Sequence, residues 1–165
     1  MMAANEERTT IATKSGVVPV DAFRSHDGLT VLRGVLRGDY PPPPITDVLP
    51  FTLAEVDKGR VAFEGTPSEA LYNPMGAVHG GFAMTLLDSA MTCAVMSALA
   101  AGELCTTIET KVSFVRPVLA STGPLRAEAH VIHAGSRVAT AEGRLTDASG
   151  RLYAHGTSTC LRFPL

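Results

Sequence analysis

A single carboxylate, Asp88, stands in the long weakly polar stretch 82–101. It lies about two helical turns in, too deep to act as an N-cap. A buried carboxylate is costly unless it is paired or hydrogen-bonded. Asp88 therefore either holds a helix or subunit contact, or is kept there to take a proton. His79, Gly80 and Gly81 sit where the helix begins. Two glycines let a ligand come close to the backbone. The first turn of a helix leaves its N–H groups unpaired and carries positive dipole character. A carbonyl aimed at Gly80 and Gly81 would be polarised as negative charge develops on its oxygen. The plainer reading is a tight loop-to-helix corner with a structural histidine.

The spacing bears on assembly. Gly80 and Asp88 are eight residues apart, or roughly 12 Å along a helix. Asp88 hardly reaches a carbonyl held at the start of its own helix. Two chains with antiparallel central helices would bring Asp88 of one toward Gly80 of the other, so the spacing favours a site shared across a two-fold dimer.

The elements that must position these residues can be read along the chain. Residues 1–22 form a polar, flexible N-terminal segment. A short helical arm and a proline run follow over 23–44: Asp27 is the N-cap, Leu29, Leu32 and Leu36 share a face, and Gly38 and Pro41 to Pro44 stop the helix. Residues 45–165 form the main domain. It opens with strands over 51–56 and 60–64 around a three-residue loop, Asp57 to Gly59. A loop at 73–76 and a helix over about 80–100 come next. Strands follow at 106–116, 125–133, 138–146 and 152–162, the last two joined at Asp147 to Gly150. One mostly apolar helix needs burial on nearly all sides, and a curved antiparallel sheet supplies it. The class is α+β.

Composition narrows the functions. The 165 residues are 45% hydrophobic and 18% charged, with a formal net charge of -2, which argues against nucleic-acid binding by bulk charge. Asp88 and the Ala, Ser, Thr and Met content argue against a membrane span. The N-terminus has no apolar core of a secretory signal. Cys93, Cys105 and Cys160 match no zinc or redox spacing and read as free, mostly buried thiols. His130, His133 and His155 lack matching acidic partners, so no metal is expected. A cytoplasmic protein is the consistent expectation.

Asn73, His79-Gly80-Gly81 and Asp88-Ser-Ala together resemble the signature of the PaaI-type hotdog-fold acyl-CoA thioesterases. The likeness runs from about Leu36 to Leu161, through the four prolines, Thr106-Thr107, the Phe114 to Pro117 segment and the Ala154 to Cys160 close. It implies a hotdog fold: an antiparallel β-sheet wrapped around one long central helix, here with a short N-terminal helical arm. It implies hydrolysis of an acyl-CoA thioester to free acid and CoA. Gly80, helped by Gly81, would polarise the carbonyl. Asp88 of the partner subunit would activate water or attack directly. Asn73 would position the thioester or water, and His79 would orient Asn73 or lie near the leaving sulfur. Thr107 would orient the water. Arg116, Pro117, Ser136 and Arg137 would contact the CoA arm. No cofactor is implied beyond the coenzyme A of the substrate. The expected assembly is a homodimer or a dimer of dimers with shared sites, without nucleic-acid or membrane partners.

Two other functions compete. A non-catalytic acyl-CoA-binding protein would use the same binding residues. A hotdog hydratase or dehydratase would act on a carbon–carbon double bond, but its His-x-x-x-x-Pro-Gly pattern is absent.

Overall fold

The computed structural model describes residues 14–165. The first thirteen residues of the expected flexible segment lie outside the described residues. Across the boundary between that segment and the arm the structure adds a helix, α1 (Val20–Ser25), which buries Ala22. Then come α2 (Gly28–Arg37), β1 (Phe51–Asp57), β2 (Arg60–Gly65), α3 (Gly80–Met96), β3 (Glu103–Phe114), β4 (Leu125–Ala134), β5 (Val138–Asp147) and β6 (Leu152–Pro164). Every strand pairing is antiparallel, in the order β1-β2-β4-β5-β6-β3. This is the expected hotdog arrangement.

The sheet holds α3 because its inner face is lined with small residues. Alternation points Ala127, Ala129, Ala139, Ala141 and Gly143 inward, all buried. Leu86, Leu87, Ala90, Met91 and Ala94 of α3 are fully enclosed against them. A Cβ on Gly143 would lie 3.1 Å from Leu87 and 3.2 Å from Met91. A larger residue there would overpack the helix contact.

The arm is a packing element. The Asp27 carboxylate accepts the Thr30 N–H at 2.8 Å, and Gly38 ends α2 at φ 85. Val31 joins Leu32 in the buried set, while Leu29 and Leu36 pack at its margin. The Gly28 N–H donates to the Leu99 carbonyl, which ties the arm to the turn that follows α3.

The first hairpin, the end of the central helix and the wrapping of that helix differ from expectation, and β3 runs over Glu103–Phe114 rather than 106–116. The first hairpin turns on two residues, Lys58 and Gly59, because Asp57 pairs with Arg60 in the ladder and again by a 3.2 Å ion pair. The central helix ends at Met96, because the buried Ser97 turns its hydroxyl onto the Ala94 carbonyl and accepts the Gly59 N–H. The wrapping of α3 is also incomplete. Gly81, Met84, Thr85, Asp88, Ser89 and Thr92 form a stripe that the sheet leaves partly or wholly uncovered. Asp88 and Thr92 of this stripe meet β3, and β3 is an edge strand with one unpaired side. No helix among the described residues is long and apolar enough to cross a membrane.

Candidate active site

The loop before α3 is built by Asn73. Its side-chain oxygen accepts the N–H groups of Met75 and Ala77, at 2.9 and 3.2 Å, and its backbone N–H donates to the Ala77 carbonyl at 2.7 Å. The positive φ of Gly76 completes the turn. The Val78 N–H is anchored on Val118 and the His79 N–H on Leu71. Asn73 is thus a loop-shaping residue, and His79 makes no hydrogen bond to it.

His79 instead caps α3. Its Nδ1 accepts the Gly81 N–H at 2.9 Å. That bond occupies one of the two donors expected to polarise a carbonyl. The Gly81 N–H is thus held by the cap, while the Gly80 N–H has no hydrogen-bond partner among the described residues. A neutral imidazole that accepts at Nδ1 carries its proton on Nε2. With Nδ1 taken by the cap, Nε2 is the ring nitrogen of His79 left over. A Cβ on Gly81 would sit 2.9 Å from the His79 Nδ1, so glycine is what lets the cap close.

Asp88 lies on the uncovered stripe of α3, half-buried against β3. Its Oδ1 accepts the hydroxyls of Thr107 and Thr110, at 3.1 and 2.9 Å. Its Oδ2 accepts nothing from the described residues. The Thr107 oxygen also lies 2.6 Å from that of Thr92. With the Thr107 proton directed to Asp88, Thr92 donates to Thr107, which orders the three groups as a relay.

Thr107 and Thr110 are three residues apart, and strict alternation would put them on opposite faces. A bulge between Thr107 and Glu109 breaks the alternation, because Thr107 pairs with Cys160 and Glu109 with the adjacent Thr159. Ile108 is the extra residue, 58% exposed. Bulges of this kind re-aim side chains next to functional sites. Thr110 was missed by sequence reasoning, because the bulge that turns it inward has no signature in a single sequence.

The remaining predicted contacts divide between the two ends of β6. The Arg116 N–H donates to the Tyr153 carbonyl, and its guanidinium lies 5.9 Å from the centre of the Tyr153 ring. Pro117 follows it, exposed, near the Phe114 end of β3. Ser136 and Arg137 line a cavity of about 350 Å³ with Glu103, Leu161, Arg162, Phe163 and Pro164. Tyr153 and Arg162 are nine residues apart, or about 30 Å along a strand. One chain therefore does not bring Arg116 and Arg137 to the same ligand. Arg162 is held by both oxygens of Glu103, at 3.0 and 2.9 Å.

A second cavity, of about 410 Å³, lies against the first turn of α3. Leu49, Ala70, Leu71, Tyr72, His79, Gly81, Phe82 and Thr85 line it. The three cysteines are free, and Cys93 lies near Asp88. Burial, followed by the nearby Asp88 charge, pushes the Cys93 thiol up to about 12, which makes it an inert thiol at neutral pH.

α3 is unbroken from Gly80 to Asp88. Eight residues keep the free N–H and the free carboxylate oxygen about 12 Å apart along its axis and roughly 80° apart around it. The chain presents a donor and a base on one open flank, too far apart to meet on one small group within a subunit.

Residues 75–154 match the family model described as the thioesterase superfamily. No curated protein matches the sequence. Among solved structures, the phenylacetic acid degradation-related protein of Ralstonia eutropha is 32% identical, with a TM-score of 0.70 over 78% of this chain and 97% of its own. A thioesterase family protein from Silicibacter pomeroyi is 23% identical, with a TM-score of 0.70 over 89% of this chain and 100% of its own. The E. coli PaaI protein is 20% identical, with a TM-score of 0.70 over 82% of this chain and 94% of its own. The last two likenesses are of fold. The Ralstonia protein shares sequence as well, along nearly its whole length, and with it the chain is placed in the thioesterase superfamily as a PaaI-like hotdog protein.

Proposed function

We propose that the protein hydrolyses acyl-CoA thioesters in a site shared by two subunits. The observation that carries this reading is the half-satisfied Asp88: Oδ1 fixed by two hydroxyls, Oδ2 unpartnered among the described residues, on a helix flank the sheet leaves open. A fixed carboxylate with one available oxygen is what a general base needs.

The second subunit supplies the missing distance. β3 offers twelve residues of unpaired edge, with Ile108 and Phe114 exposed at 58% and 52%. Such an edge invites pairing with another strand. Pairing with its own two-fold copy sets the Phe114 end of one β3 against the Glu103 end of the other. It carries the partner's Gly80 toward this Asp88. The same two-fold sets the Arg116 end of one chain beside the Arg137 end of its partner, so two separated cationic ends become neighbours along one CoA path.

In this arrangement the Gly80 N–H and the helix start polarise the thioester carbonyl. The Asp88 Oδ2 takes a proton from water as the water oxygen bonds to the carbonyl carbon. The tetrahedral intermediate then expels the CoA sulfur, which receives the proton held by Asp88. The His79 Nε2–H stands as a further donor beside the carbonyl or the sulfur. Water is consumed, and free acid and CoA are released.

The test is release of free thiol from acetyl-, butanoyl- and octanoyl-CoA by wild type and Asp88→Asn, with sedimentation to establish the assembly. Turnover by wild type with loss in the variant supports the reading. Equal turnover by both removes Asp88 from the chemistry, and tight binding without turnover by wild type turns the reading into an acyl-CoA-binding protein.

A further inference from the structure

Two threonines stand on the open stripe of α3, one on each side of Asp88 along the chain, and they spend their hydroxyls differently. Thr85 donates back to the Gly81 carbonyl four residues earlier, at 2.8 Å. That is a common outlet for a helical threonine. Thr92 makes no such bond among the described residues; its oxygen lies 2.6 Å from that of Thr107 on β3. Its other close neighbours are thiols. The Cys160 Sγ is 4.0 Å from the Thr92 oxygen, and the Cys105 Sγ is 3.9 Å from the Thr92 carbonyl. A thiol is a weak donor and a weak acceptor.

The number of acceptors orders the protons. Thr107 has one hydroxyl proton and two oxygens in reach, Asp88 Oδ1 at 3.1 Å and Thr92 at 2.6 Å. Giving the proton to Thr92 would leave the Thr92 proton with a sulfur at 4.0 Å and would cost Asp88 a donor. When Thr92 donates to Thr107, both protons find oxygen acceptors, and the last acceptor is a carboxylate. Bonds linked in one direction also polarise each other. The Thr110 arm lacks this constraint. Ser158 lies 3.3 Å from Thr110, but its proton has a closer acceptor, the Glu109 carbonyl at 3.1 Å.

We infer that Thr92 is a positioning residue for the base: it holds the Thr107 hydroxyl from behind and keeps its proton on Asp88, whereas Ser158 has no such role toward Thr110. The inference rests on the reading of Asp88 as the base. Thr92 touches no reacting atom and acts through Thr107 alone. Asp88 and Thr92 are four residues apart, so they share a face of α3, and β3 sets Thr107 against both.

Thr92→Val keeps the size of the side chain and removes the hydroxyl. It should lower kcat by about fivefold, the worth of one neutral hydrogen bond, with KM within about twofold and Tm and assembly close to wild type. Thr92→Ser should restore kcat to within about twofold of wild type. In the Thr107→Val background, Thr92→Val should leave kcat within about 1.5-fold, because its route to Asp88 is gone. Ser158→Ala should lower kcat by less than about twofold. Thiol release, thermal melts and sedimentation read these effects. An unchanged kcat in Thr92→Val overturns the inference. So does a fivefold fall that persists in the Thr107→Val background, or a fall in Ser158→Ala as large as that in Thr92→Val.

The proton order can be read without turnover. Neutron diffraction from deuterium-exchanged crystals of the wild type should place the Thr92 deuteron toward Thr107 and the Thr107 deuteron toward Asp88. A Thr107 deuteron directed at Thr92 overturns the inference. The expected order in a protein that cleaves no thioester leaves the hold of Thr92 on the Thr107–Asp88 pair standing and removes the hydrolase reading alone.

Discussion

Two aspartates in this chain are both held by hydroxyls, and they differ in what is left over. Asp147, at the β5–β6 turn, has both oxygens occupied. Its Oδ1 accepts the Ser149 N–H and hydroxyl and the Arg151 N–H, and its Oδ2 accepts the Tyr153 hydroxyl. The Ser149 hydroxyl first, and then the backbone N–H groups, hold its carboxyl down to about 2. Asp88 has one oxygen fixed by Thr107 and Thr110 and one without a partner among the described residues. A saturated carboxylate shapes a turn. A half-satisfied one on an open helix flank is positioned yet still able to take a proton. The number of bonds does not separate them so much as where the remaining lone pairs point.

Substitutions can break this contrast. Asp88→Asn should lower kcat by about 10²- to 10⁴-fold, the usual worth of a general base, with Tm close to wild type; thiol release and thermal melts read the two effects. A large fall in Tm instead would make Asp88 another structural aspartate. Thr107→Val and Thr110→Val should each lower kcat by about tenfold, since a hydrogen bond to a charged group is worth about 1.5 kcal/mol or more, and the double variant should fall less than the product because both act on one oxygen.

Asp147→Asn should do the reverse. Its Tm should drop by a few degrees, while kcat per folded molecule stays unchanged. The pH dependence follows from the lowered carboxyl. Its contribution is present above the unfolded value near 4 and is lost as pH falls through about 2. Acid melts of wild type and Asp147→Asn should therefore converge as pH falls across that window, and a constant gap would contradict the assignment. Tyr153→Phe removes one of the four bonds and should give the smallest drop, readable in the same melts.

Much of the fold was legible because it is written in local patterns. Turn residues bounded the strands, the Asp27 cap and Gly38 bounded α2, and the Asp147 to Gly150 turn joined β5 to β6. The isolation of Asp88 in an apolar helix marked it without any structure. Less legible were features that depend on what is across from a residue. Asn73 and His79 share a motif but not a hydrogen bond: one shapes the loop and the other caps the helix. Arg116 and Arg137 fall in one predicted ligand path but stand at opposite ends of a strand.

The sequence by itself determined a helix with one carboxylate, a glycine pair at its start, and a spacing too long for both to act within one chain. Those follow from composition and the fixed rise of a helix. Tertiary structure alone decided which N–H stays free, which hydroxyls hold Asp88 and which flank of α3 stays uncovered. The bulge at Ile108 is the clearest case. One extra residue in β3, set by its register against β6, turns Thr110 to the same face as Thr107. Register is a property of two strands paired across some fifty residues of chain, and no local pattern carries it.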